Sequence, residues 1–83
     1  MIQLDFNQKI QLVTLLLACP SVGKQERRQA VINELPPDIK NSVVKSSVDR
    51  DEVLGLVNAC LGHKKGLEKL REVVGFFEGE SKA

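Results

Sequence analysis

The stretch Asn58–Glu80, "NACLGHKKGLEKLREVVGFFEGE", decides how this chain is read. It holds the only histidine, His63, three residues after Cys60. Either the two form a reactive or metal-binding pair, or one helix ends here and another begins. Apolar spacing supports the second reading. Val53, Leu54, Val57, Cys60 and Leu61 recur at helical intervals. Gly62 is a good terminator, and "HKKG" makes a turn. Leu67, Leu70, Val74 and Phe77 then resume the pattern. The sequence therefore predicts a helix from about Arg50 to Leu61 and a last one from Gly66 to about Phe77, closed by Gly79. Cys60 falls on the inward stripe, where cysteine behaves as a small hydrophobe, and His63 falls in an exposed turn.

Outward from this corner the chain continues to read as helix. "QKIQLVTLLLAC" places Ile10, Val13 and Leu17 on one stripe, with Leu12, Leu15 and Leu16 widening it, so a first helix runs from about Asp5 to Cys19. Asp5 or Asn7 caps its start, and Pro20 ends it. A second helix runs from Ser21 to Glu34. Val22, Ala30, Val31 and Leu35 face inward there, and Lys24, Glu26, Arg27 and Arg28 face water. Pro36 and Pro37 fit the first turn of a short helix from Pro37 to Asn41, anchored by Ile39 and Val43. After "KSSV", Asp49 and Glu52 have the spacing of a capping box. No segment alternates convincingly at period two. The expected fold is all-α: one compact domain over residues 1–83, with a core from about 5 to 79, four main helices and a short one. Leu16, Val31, Leu35, Val57, Leu70 and Val74 are expected in the core.

Composition narrows the function. The chain has 83 residues, 42% of them hydrophobic and 28% charged, with a net charge of +1. A chain of this size buries about 60% of its unfolded surface. Its near-neutral balance offers no general attraction to nucleic acid or anionic lipid. No apolar run approaches the roughly 20 residues of a membrane span, and the first residues lack a basic-then-apolar signal. Two cysteines in apolar patterns fit a reducing cytoplasm.

Chemistry-bearing constellations are sparse. A structural zinc site takes about four ligands, and the chain offers two cysteines and one histidine in all. A catalytic cysteine requires a base and an orienting group. The glycines flanking "HKK" do not match a phosphate loop, which follows a strand. The sequence therefore predicts no catalytic residue, cofactor or metal. Lys24, Arg27 and Arg28 form a small basic patch around Glu26. It lacks the extent and stacking aromatics of a nucleic-acid surface, the three phenylalanines fitting a core instead. Asp49, Asp51 and Glu52 suit a helix start and also complement the basic patch, should copies of the domain meet.

"LLACPSV" (16–22), "RRQAVINELPPDIKNSV" (27–43) and "DRDEVLGLVNACLGHKKGLEKLREVVGFFEGE" (49–80) together resemble the bacterial effector-associated domains, and the second class of that family most closely. The matching positions include Cys19, Pro20, Leu35, Pro36, Leu61, Gly66, Leu67 and Phe77. The "GHKKG" turn departs from the family in being more basic. The resemblance implies a small helical adaptor, likened to the death-domain superfamily of animals. It implies contacts between like domains, on copies of itself or on partners bearing a protease, a TIR domain or a signalling ATPase, in bacterial conflict or defence. No catalytic motif comes with it. Protein interaction through Lys24, Arg27 and Arg28 against Asp49, Asp51 and Glu52 is the expectation, with no nucleic acid or membrane partner. A small regulatory or DNA-associated helical module is the alternative.

Overall fold

Asp5 begins the first helix with a reciprocal cap. Its Oδ1 accepts the Gln8 backbone N–H at 2.8 Å, and the Gln8 side-chain oxygen accepts the Asp5 N–H at 3.0 Å. Two backbone donors that a helix start leaves unsatisfied are thereby paired. The helix, α1, spans Phe6–Ala18. In this computed structural model, which describes residues 4–82 with side chains as far as Gly79, it is followed by α2 (Pro20–Gly23), α3 (Gln25–Asn33), α4 (Pro37–Lys40), α5 (Asp49–Leu61) and α6 (Gly66–Lys82). No strand occurs among the described residues.

The fold is the all-α bundle expected, with two departures in its elements. The segment expected as one second helix is two, broken at Lys24, whose backbone is extended. Pro20 starts a new turn, since its fixed φ suits the first helical position. The chain at Gly23 then passes so close to the Leu17 carbonyl that a Cβ there would collide with it. Four longer helices and two short ones result. The last helix also runs on through Gly79 to Lys82, because a lone glycine lowers helix propensity by about 1 kcal/mol without forcing an end.

The core joins Val13 and Leu16 of α1, Val22 of α2, Val31 and Ile32 of α3, Leu35, Ile39 of α4, Val53, Leu56, Val57, Ala59 and Cys60 of α5, and Leu70 and Val74 of α6. All six residues named from the sequence as core are in it. The three phenylalanines are not: Phe6 and Phe76 are exposed, and Phe77 is only partly covered. Each of the two exposed rings lies on a helix face that no other element covers. Helix α5 packs against α1 and against α6, whereas α1 and α6 scarcely meet.

Gly66 is what closes the corner between α5 and α6. A Cβ at this position would run into the Cys60 carbonyl. Lys65, just before it, sits in the left-handed region at φ 62°, which favours glycine, asparagine or aspartate. The His63 N–H donates to the Cys60 carbonyl at 3.1 Å, and the Gly66 N–H to the His63 carbonyl at 3.0 Å.

Candidate protein-interaction site

The charged residues singled out from the sequence divide sharply. Arg28 was expected to face water, yet it is fully buried. Its Nε donates to Glu52 Oε1 at 2.6 Å, one terminal nitrogen to the Val22 carbonyl at 2.9 Å, and the other to Asp49 Oδ1 at 2.8 Å. Glu52 is buried too, and its second oxygen accepts the Ser46 backbone N–H at 3.1 Å. Burial alone would lower the Arg28 pKa. The hydrogen bonds and charges of Asp49 and Glu52 outweigh that and raise it, so the guanidinium stays charged. Arg28, Asp49 and Glu52, three of the six residues expected to pair between copies, therefore pair within one chain, and Arg28 and Glu52 are enclosed.

The capping box expected at Asp49 is also absent. The N-cap of α5 is Val48, which makes no side-chain cap bond, and Asp49 is the first helical residue. Its carboxylate is spent on Arg28 instead. Lys24 and Asp51 remain exposed, and Arg27 is half-buried. Of the six proposed contact residues, Arg28, Asp49 and Glu52 are thus brought together as a structural cluster. The rest are surface charges with no mutual ion pair.

A periodic signal could have revealed this. Arg28 stands three, four and seven residues before Val31, Ile32 and Leu35, on the buried stripe of α3. Glu52 stands four and eight residues before Leu56 and Cys60, on the buried stripe of α5. A charge on each of two facing stripes is best accommodated as a pair.

Cys60 is buried and free, and burial pushes its thiol up to about 11, away from the thiolate a nucleophile or metal ligand requires. His63 is half-buried rather than exposed. Among the described residues no group of three His, Cys, Asp or Glu is placed to hold a metal ion.

The feature not foreseen is an apolar groove of about 420 Å³ between α1 and α6, lined by Leu12, Leu16, Leu67, Leu70, Val74 and Gly75, with Arg71 also in its lining. Leu15, also on α1, is 67% exposed. The all-round apolar character of α1 was the available signal. It reads equally as a central helix, and only the separation of α1 from α6 distinguishes the two.

The fold is thus an all-α bundle whose ionised cluster is internal and which carries an apolar groove between α1 and α6. The chain belongs to the effector-associated domain 2 family, whose model matches residues 13–83. No curated protein and no solved structure matches it.

Proposed function

We propose that this domain is a non-catalytic adaptor that links effector and sensor proteins in bacterial conflict or defence signalling through contacts between like domains. The observation that carries the reading is the family match, which spans every helix from the middle of α1 onward. Partners are copies of the domain or related domains attached to a protease, a TIR domain or a signalling ATPase. The bundle offers support of a physical kind: with Arg28 neutralised internally, the basic patch is reduced to Lys24 and Arg27, too little for a nucleic-acid footprint. No helix of the described residues is long and apolar enough to cross a membrane.

Light scattering over a wide concentration range tests the reading. Mass should rise with concentration, or on adding a like domain from a partner. A chain that remains monomeric alone and with such partners removes the adaptor function. A salt-sensitive mobility shift with duplex DNA would replace it by the DNA-associated alternative.

A further inference from the structure

We propose that the groove between α1 and α6 receives Phe76 of a second copy of this chain, in a head-to-tail contact. The proposal rests on the adaptor reading and supplies its surface.

The socket is the groove itself. Its walls are aliphatic, and Leu15, elsewhere on α1, is exposed as well. Nothing of the described chain fills it. A side chain entering it would take this hydrocarbon out of water. The knob is Phe76, which is 63% exposed. Its ring is held edge-on by Phe77, with centroids 5.4 Å apart and planes at 80°. An aromatic side chain fixed in this way loses little freedom when it docks.

Helical geometry determines the kind of contact. Phe76 lies two residues after Val74 and five after Arg71. At 3.6 residues per turn these steps place it roughly 140–160° around α6 from that part of the groove wall, and about 100° from Gly75. The knob and the socket therefore occupy different faces of one helix. Phe76 cannot reach the groove of its own molecule. If it enters a neighbour's groove, the neighbour's Phe76 points onward to a third copy. The contact is heterologous, and it closes into a ring or grows as a filament.

Charge complementarity selects a second copy as the occupant. Arg71, in the groove lining, has no acidic partner within ion-pair distance among the described residues. Glu72 stands one turn before Phe76, on the knob face, with a side chain 70% exposed. Its one ion pair is a loose 3.7 Å approach to Lys69. The knob thus brings a carboxylate toward a socket whose lining includes the hydrocarbon stem of Arg71, whose charge can orient the encounter from the rim.

Two variants disable the two halves separately. Phe76→Ala removes the knob and leaves the socket. Gly75→Arg obstructs the socket and leaves the knob. A Cβ at Gly75 meets nothing within 4 Å, so the fold accepts a side chain there, and circular dichroism with thermal melting verifies it for both variants. Light scattering should show the wild type gaining mass with concentration and each variant alone at monomer mass. An equimolar mixture should form a pair at twice the monomer mass and stop there, since that pair has no free knob and no open socket. Arg71→Glu and Glu72→Arg should each weaken assembly, and the doubly exchanged chain should regain it. Wild-type assembly that survives both Phe76→Ala and Gly75→Arg overturns this surface while leaving the adaptor reading intact. A mixture that grows beyond the pair overturns the head-to-tail geometry. A wild type that is monomeric throughout overturns this self-contact, and the adaptor reading falls with it only when a like domain from a partner also fails to bind.

Discussion

At the junction of α2, α3 and α5 a guanidinium and a carboxylate are wholly enclosed, while between α1 and α6 leucine side chains line an open groove. The first region withdraws charge from water; the second withdraws hydrocarbon only in part, with Leu16, Leu70 and Val74 buried, Leu12 and Leu67 half-buried and the nearby Leu15 exposed. The two arrangements are tolerated for different reasons. A buried ion is acceptable when its hydrogen-bonding capacity is met. Each of the three Arg28 guanidinium nitrogens has an acceptor, and Glu52 uses both its oxygens. An exposed leucine carries no such condition. It forgoes the roughly 25 cal/mol per Å² that burial contributes, which remains available to a partner. The first region is consumed in holding the molecule together, and the second is free to be used.

The largest expected effect probes that division. Arg28→Ala leaves Glu52 enclosed without its counter-charge and should cost about 3–5 kcal/mol, read by urea denaturation. The paired change of Arg28→Met with Glu52→Leu should recover most of that loss, because well-packed hydrocarbon often replaces a buried ion pair at no net cost. A small effect of Arg28→Ala would mean that the cluster is open to water, and the contrast between the regions would collapse.

Cys60 sharpens the comparison from the same helix. It lies two turns beyond Glu52 and is as deeply buried, with no cation to pair with. Its folded pKa, about 11 against 9.0, means that the native state keeps a proton the unfolded chain gives up. Stability should be full below pH 9 and decline on the order of 2–3 kcal/mol as pH rises through 11. Chemical denaturation at pH 8, 9.5 and 11 measures this, and Cys60→Ala should flatten the alkaline decline.

Effects on the groove side should be small. Gly75→Ala should stabilise by up to about 1 kcal/mol, since it raises helix propensity where a Cβ meets open space. Leu15→Lys should change stability by less than about 0.5 kcal/mol, as at an ordinary surface position. Thermal melting reads both. A loss of several kcal/mol from either would show that Leu15 or Gly75 belongs to the packed core with Leu16, Leu70 and Val74.

Much of this architecture is legible in the apolar spacing. The stripes of α1, α5 and α6 predict helices at nearly the positions found, and Gly62 and Gly66 bound the corner between α5 and α6. Asp5 was one of two candidate caps and makes the reciprocal bond. The break at Lys24 was not legible, because it depends on Gly23 meeting the Leu17 carbonyl, a contact between segments. The start of α5 misled for a related reason. Asp49 and Glu52 have capping-box spacing, but a buried guanidinium competes for both carboxylates and outweighs a local cap. The candidate site fared worse than the fold. A charge count treats Arg28 as surface until its place on the Val31, Ile32 and Leu35 stripe is weighed. Phe6 and Phe76 were assigned to a core that had no room facing them.

Gly66 has a bearing on a surface it does not touch. Because the start of α6 rests directly against the Cys60 carbonyl, backbone bears on backbone and the hinge between α5 and α6 has no compliant side chain in it. Helix α6 is 17 residues long, a lever of roughly 25 Å at 1.5 Å per residue. A small tilt at its first turn is magnified along the arm that forms one wall of the groove. The gauge of that opening is thus set at the pivot, while the leucines along the walls decide only its texture.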